Sequence, residues 1–122
     1  RQMNFGLNDD IQMTPNPMNF SFAIRYLCRY QNQLPLETLI HRMTGMPADR
    51  FCLTDLGHLR EGAFADIVIF DREALHSADR DPDPLRYPDG IEQVLVNGVL
   101  TIDHQRHTGA RAGRILRKSR CG

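Results

Sequence analysis

The chain has 122 residues, 41% hydrophobic and 25% charged, which is ordinary for one globular domain or a piece of a larger protein. Lysine plus arginine and aspartate plus glutamate both number 15, so bulk electrostatics does not favour nucleic acid as a partner. No apolar run approaches the ~20 residues that span a bilayer.

The opening, RQMNFGLNDD, lacks the apolar centre of a secretory signal. Because it starts at Arg1 rather than Met, the chain reads as trimmed or excerpted. Its three cysteines, Cys28, Cys52 and Cys121, are scattered and form no C-x-x-C pair. A reduced, cytoplasmic setting is expected from them, with Cys28 and Cys52 as small buried hydrophobes.

Residues 1–17 are uneven. QMNFGL suits a short strand and NDD turns out of it, while the prolines of TPNP remove donors and restrain the residues before them. From Asn19 to Gln33 the spacing predicts a helix, because Phe20, Ala23, Ile24, Leu27, Cys28 and Gln31 recur at i, i+3 and i+4. Pro35 restarts the pattern. Leu36, Leu39, Ile40 and Met43 form the stripe of a second helix, with Pro35 suited to its first position and Gly45 to its end. MPADRF reads as a further helical turn opened by Pro47.

After Phe51 the period changes. In ADIVIFD, Ile67 and Ile69 alternate with Val68 and Phe70. Both faces are apolar, so this strand is expected to be covered on both sides. Residues 72–90 read as a long loop rich in Asp and Pro, of a length typical of functional flaps or insertions. IEQVLVNGVLTID predicts a hairpin, because Asn97 and Gly98 tolerate the positive φ of a type I′ turn. That turn sets Val96 opposite Val99 and Leu95 opposite Leu100. A last short strand is expected at Arg114–Leu116, before a basic tail. Helices first and strands after imply an α+β fragment, or the junction of two domains, dividing near residue 51.

Chemistry-bearing patterns are few. The five histidines, His41, His58, His76, His104 and His107, contain no H-x-H and no H-E-x-x-H. His104 and His107 form H-x-x-H, but a zinc site needs three or four converging ligands, so two solvated loop residues are the better reading. His41 reads as a helix-surface side chain. There is no G-x-S-x-G elbow and no glycine-rich phosphate loop. Asp79, Asp81 and Asp83 alternate like calcium ligands but lack the glycine and terminal glutamate of an EF-hand. The tail residues Arg106, Arg111, Arg114, Arg117, Lys118 and Arg120 have no interleaved aromatic side chains, so they read as a solvated terminus rather than a nucleic-acid surface. Asp9 and Asp10 follow the possible strand MNFGL. A carboxylate at the C-terminal end of a barrel strand can bind metal or act as a base, and a pair of turn aspartates is the plainer alternative.

LPLE, MTGMPA, GHLREGAFADIVIFD, VNG and HTGARAGRILR, in this order and spacing, resemble the C-terminal end of the amidohydrolase superfamily, and within it the N-acyl-D-amino-acid deacylases (D-aminoacylases). The likeness covers residues 34–117. It implies a metal-dependent (β/α)8 barrel carrying a small β-sandwich built from both chain ends. Residues 1–51 would be the C-terminal end of the barrel, with its last helices, and residues 52–122 a segment of the sandwich and the tail. The resemblance also implies hydrolysis of the amide of N-acyl-D-amino acids, with a zinc ion polarising the carbonyl and activating water. The family's metal ligands would lie upstream, so this fragment alone is expected to bind no metal and to be inactive. Its partners would be the small-molecule substrate, the rest of the barrel and the N-terminal sandwich strands, with no nucleic acid and no membrane. The family's acid/base aspartate, which ends the last barrel strand, would match Asp9 or Asp10, although FGLNDD departs from the usual G-S-D-G.

Two other readings fit the residues. One is a non-catalytic β-rich interaction module. The other is a related cyclic-amide hydrolase of the dihydroorotase or hydantoinase kind; MTGMPA and HTGARAGR favour the deacylases. Within residues 57–71, Gly57 and Gly62 are expected to serve tight turns, and Asp66 and Asp71 turn or capping contacts rather than catalysis.

Overall fold

The computed structural model describes residues 17–78, 82–83 and 86–116, with side chains from residue 21 onward. The possible strand QMNFGL lies outside the described residues. Three helices come first: α1 (Pro17–Tyr30), α2 (Leu36–Met43) and α3 (Gly45–Arg50). Four strands follow: β1 (Ile67–Phe70), β2 (Ile91–Val96), β3 (Val99–Asp103) and β4 (Arg106–His107). The helices-then-strands order is therefore as expected.

Helix α1 starts two residues earlier than its apolar stripe suggested, because Pro17 has the fixed φ of a first helical turn. It ends at Tyr30, whose carbonyl accepts from the backbone N–H of both Gln33 and Leu34. Ser21, Ile24 and Leu27 are buried along one side of it. Pro35 is the residue before α2, not its first helical residue, and its carbonyl accepts from Thr38 and Leu39. Thr44 separates α2 from α3, so Gly45 opens the third helix instead of ending the second.

Leu39 of α2 is fully buried against Ile24, Tyr26 and Leu27 of α1 and Leu75 of the loop after β1. Phe70 and Ile91, a cross-strand pair at one end of the sheet, pack against this cluster. Phe70 and Ile91 thus join the β1–β2 end of the sheet to the helices.

The sheet is antiparallel in the order β1-β2-β3-β4. The expected hairpin register is present, with Val96 opposite Val99 and Leu95 opposite Leu100. Asn97 and Gly98 both have positive φ, 50° and 77°, as a type I′ turn requires. Beyond that pair the register slips, leaving Thr101 as the extra residue of a bulge. Thr101 is buried and its hydroxyl donates to the Val94 carbonyl at 2.9 Å. That bond satisfies a carbonyl beside the interrupted ladder.

Four expectations change. Strand β1 is not covered on both faces by the described residues: Val68 is 52% and Ile69 42% exposed. Among the described residues Arg114–Leu116 forms no strand, while β4 forms at Arg106–His107. Its turn uses His104 and Gln105, both at positive φ, in place of the usual Asn-Gly. The loop after β1 is closed by an antiparallel bridge between His76 and Asp89. Cys28 is free, whereas Cys52 is disulfide-bonded instead of being a reduced buried side chain, which removes one support for the cytoplasmic expectation. Among the described residues, no helix is long and apolar enough to cross a membrane.

Candidate functional site

Asp9 and Asp10, the two expected catalytic carboxylates, lie outside the described residues, as do Asp79 and Asp81. The described chemistry-bearing side chains gather into three small clusters, each serving the backbone around it.

The first cluster joins the lead-in to β1, the hairpin turn and the C-terminal arm. The Asn97 backbone N–H donates to Asp66 Oδ1 at 2.7 Å, and the Gly98 N–H donates to the Ala65 carbonyl at 2.9 Å. The Asn97 side-chain amide donates to the Ala112 carbonyl. Its own Oδ1 is buried without a donor, a cost of ~1–3 kcal/mol that the grip on three segments must offset. The arm is held further back as well. Thr108 donates through its backbone N–H to Thr101 at 2.9 Å and through its hydroxyl to Leu100 at 2.8 Å. The Arg114 guanidinium lies 3.0 Å above the centre of the Phe64 ring, a cation–π contact. Asp66 thus makes the turn contact expected of it, and Asp71 does the same by accepting from the Glu73 N–H at 2.9 Å.

The second cluster pins the lead-in to the helices. His58 Nε2 donates to Asp49 Oδ1 at 2.8 Å. A Cβ on Gly45 would fall 2.8 Å from both His41 Nδ1 and His58 Cε1, so both imidazoles rest against the same glycine. Gly57, at φ +76°, lies just as close to α3, where a Cβ would come 2.7 Å from the Ala48 Cβ and 2.8 Å from the Thr44 carbonyl oxygen. Spacing alone did not reveal the His58–Asp49 pair, since the two residues sit nine positions apart on different elements.

The third cluster closes the loop after β1. Arg86 makes a bidentate pair with Asp89, at 2.8 and 2.9 Å, and Gln105 donates to the same carboxylate at 3.2 Å. The Arg86 hydrogen bonds hold the Asp89 carboxyl below the usual aspartate range. Asp103 is lowered too, first by the Gln93 amide and then by His104. His104 and His107 do not converge on a ligand: His104 Nδ1 pairs with Asp103 at 2.9 Å, and His107 Nδ1 accepts from the Gly109 N–H at 2.9 Å. The Cys28 thiol is pushed up by burial and points at the Leu75 carbonyl, 3.3 Å away. It is placed as a packing group, not a nucleophile.

These clusters shape backbone; none brings a nucleophile, base and acid together. The first two clusters build the sequence pattern MTGMPA…GHLREGAFADIVIFD…VNG…TGARAG into one continuous structure. The amidohydrolase family matches residues 10–102. The chain belongs to that family.

Among amidohydrolases, the N-acyl-D-aspartate deacylase of Alcaligenes xylosoxydans xylosoxydans is 35% identical over 114 residues, which are 89% of this chain and 23% of that protein. A crystal structure of a D-aminoacylase, described as defining a novel subset of amidohydrolases, matches with a TM-score of 0.76 at 34% identity, over 83% of this chain and 22% of that one. The N-acyl-D-glutamate deacylase of Bordetella bronchiseptica, complexed with zinc and a phosphonate mimic of the tetrahedral intermediate, matches with a TM-score of 0.64 at 35% identity, over 80% of this chain and 20% of that one. This amidohydrolase chain therefore spans about a fifth of its relatives' length. Its mixture of helices and antiparallel sheet is theirs over that span. Among the described residues, no group of three or more His, Cys, Asp or Glu could hold a metal ion, so they do not by themselves fit the zinc of the Bordetella enzyme.

Proposed function

We propose that this chain is the C-terminal part of an enzyme that hydrolyses the amide bond of N-acyl-D-amino acids, releasing a carboxylate and a free D-amino acid. One observation carries the reading. An N-acyl-D-aspartate deacylase, an N-acyl-D-glutamate deacylase and a D-aminoacylase, at 34–35% identity, each match 80–89% of this chain with only 20–23% of their own length. Three amide hydrolases differing in side chain but sharing the N-acyl-D-amino-acid class support that class and leave the side chain open.

In this reading, residues 1–51 end a (β/α)8 barrel, with α1 and α2 its last helices, and residues 52–122 supply strands of a small β-sandwich. The bare apolar surface of the sheet supports it. Val68, Ile69 and Val99 are 52%, 42% and 46% exposed, and among the described strands β1 is an edge with one side unpaired. Such an edge is a site for pairing with another strand. N-terminal sandwich strands and the remaining barrel are the partners that would cover these surfaces. Asp9 or Asp10 is the proposed acid/base group. Metal ligands are assigned to the upstream barrel, and no described residue is given a metal or catalytic role.

The test is deacylation by the full-length enzyme, with added Zn2+, of N-acetyl-D-methionine, N-acetyl-D-aspartate and N-acetyl-D-glutamate, alongside the isolated 122-residue chain. Release of the D-amino acid by the full-length enzyme, with none by the isolated chain, is expected. Turnover by the isolated chain would overturn the fragment reading. A full-length enzyme that opens only cyclic amides would overturn the substrate class.

A further inference from the structure

We propose that Asn97-Gly98 is a modification site: a succinimide-forming pair that the closed C-terminal arm holds inert, and that converts to isoaspartate once the arm opens and then keeps the arm from closing again. Its operation does not depend on which amide the enzyme cleaves.

Asn97-Gly98 is the one Asn-Gly pair in the sequence. The side-chain amide of an asparagine is open to attack by the backbone nitrogen of the next residue, and glycine, having no side chain, shields that nitrogen least. In this step a bond forms between Gly98 N and Asn97 Cγ, and the Cγ–Nδ2 bond breaks. The Gly98 N–H proton departs with Nδ2 as ammonia. Solvent water then opens the ring at either carbonyl, giving isoaspartate or aspartate. Water is consumed, ammonia is released, and nothing is oxidised or reduced.

In the closed structure the reacting groups are restrained. The Gly98 N–H donates to the Ala65 carbonyl at 2.9 Å, which holds the attacking nitrogen and its proton in place. The Asn97 N–H is fixed on Asp66 Oδ1 at 2.7 Å, and Nδ2, the leaving group, donates to the Ala112 carbonyl of the arm. Oδ1 is buried without a donor. That oxygen would carry the negative charge of the tetrahedral intermediate, which is stabilised only by donors aimed at it. The arm keeps Ala112 in position because the Thr108 hydroxyl donates to Leu100 at 2.8 Å and Arg114 lies over Phe64. Freed from Ala112, the Asn97 side chain can swing to Gly98, and Oδ1 gains water as a donor.

The product does not fit the place the amide left. A carboxylate has no hydrogen to give the Ala112 carbonyl. One of its oxygens would take the buried position of Oδ1, where an unpaired charge is costly. The Asp66 carboxylate, already bonded to the N–H of the same residue, adds like charge. Isoaspartate also routes the main chain through the side-chain carbon, which lengthens the two-residue turn that sets Val96 opposite Val99. Modification therefore makes the opening permanent.

The experiment incubates the full-length enzyme in mildly alkaline buffer, native and in urea. Deamidation of the peptide holding Asn97 is followed by mass spectrometry, with isoaspartate assigned by fragmentation. Asn32, exposed and followed by Gln33, is the internal reference. In urea Asn97 should convert many-fold faster than Asn32, and in the native enzyme no faster than Asn32. Thr108→Val combined with Arg114→Ala, which loosens the arm, should speed native conversion several-fold. Deamidated wild type, recovered by ion exchange, should show faster hydrogen exchange over residues 106–116 than fresh enzyme. Equal conversion of Asn97 in native and unfolded enzyme, or a double variant as slow as wild type, would overturn the gating. Equal conversion of Asn97 and Asn32 in urea would overturn the reactivity, and unchanged arm exchange after deamidation would overturn the lock. The comparison of native with unfolded wild type needs no substitution, so it decides the gating even if the double variant misfolds.

Discussion

Replacing Gly57 by alanine should weaken the joint between the helices and the sheet, and the size of the effect follows from two separable causes. Gly57 has φ +76°. An L side chain in that left-handed region costs ~1–2 kcal/mol through its clash with the following carbonyl. The new Cβ would also arrive 2.7 Å from the Ala48 Cβ and 2.8 Å from the Thr44 carbonyl oxygen. Overpacking of this kind adds ~1–3 kcal/mol, so Gly57→Ala should cost ~2–5 kcal/mol in all. Gly62 provides the control: it has φ +81° with nothing within 4 Å of the same ideal Cβ, so Gly62→Ala should cost only the backbone part, ~1–2 kcal/mol. The contact also names its own reporter. The Thr44 carbonyl accepts the Ala48 N–H at 3.1 Å, and a Cβ pressed against that oxygen must lengthen the bond. Hydrogen exchange of the α3 peptide in the full-length enzyme should therefore quicken in Gly57→Ala and stay near wild type in Gly62→Ala, with the denaturation midpoint falling further in the first. Equal exchange and equal midpoints for the two variants would refute the claim that close approach to α3 requires glycine at 57.

Other substitutions test other joints. Asp66→Ala removes the acceptor of the Asn97 N–H and should cost ~1 kcal/mol, read as faster exchange in the peptides of the hairpin turn and the arm. Asp66→Asn keeps an acceptor, and elemental analysis should find its metal content unchanged; metal loss would contradict the turn role. Ile69→Asp should abolish soluble, metal-loaded full-length enzyme by placing a carboxylate where an apolar cover is proposed. Wild-type yield and melting temperature would mean that this face stays in water. For Asp89, whose folded carboxyl is depressed by Arg86, the sign is that of a group charged when folded. Its stabilisation is present above the ordinary aspartate range of about 3.9 and is lost as pH falls through the lower folded value. Asp89→Asn should therefore loosen residues 86–89 near neutral pH, and its difference from wild type should vanish in acid. A difference that grows on acidification would refute the pairing.

Local chemistry made some elements legible in the sequence. Asn97-Gly98 is a pair for which positive φ is cheap, and the hairpin, its register and the facing of Leu95 on Leu100 followed from that alone. The helical stripe from Ile24 through Leu27 to Leu39 was readable because those side chains bury against each other within this chain. The second tight turn was not readable: Gln105 has no intrinsic liking for positive φ, and the His104 ring is occupied by Asp103. Nor was the bridge between His76 and Asp89, which depends on Arg86 and Gln105 meeting one carboxylate from both directions. The cover expected over β1 failed for a different reason. An apolar pattern reports that a face is to be buried, not which part of the polypeptide buries it. Val68 and Ile69 are about half exposed here, while their neighbour Phe70 and its cross-strand partner Ile91 pack against the helical cluster.

The candidate catalytic residues were named only as Asp9 or Asp10, whereas GHLREGAFADIVIFD, to which no catalytic role is given, pointed to the family. The structure supplies a physical reason for that inversion. Gly57 is pressed against α3, where a Cβ has no room. Asp66 receives the N–H of a turn residue thirty-one positions away. Asn97 both adopts a left-handed backbone and reaches the Ala112 carbonyl with its side chain. Each position imposes a demand that few residue types meet, and meeting it does not depend on what the active site binds. A pattern made of such positions should be shared by relatives that act on N-acyl-D-aspartate and on N-acyl-D-glutamate alike, as the matches to both are. It follows that exchanging this whole segment between such enzymes should leave their substrate preference unchanged and alter only their stability. A chimera whose preference followed the segment would place specificity in residues that the structure assigns to turns and packing.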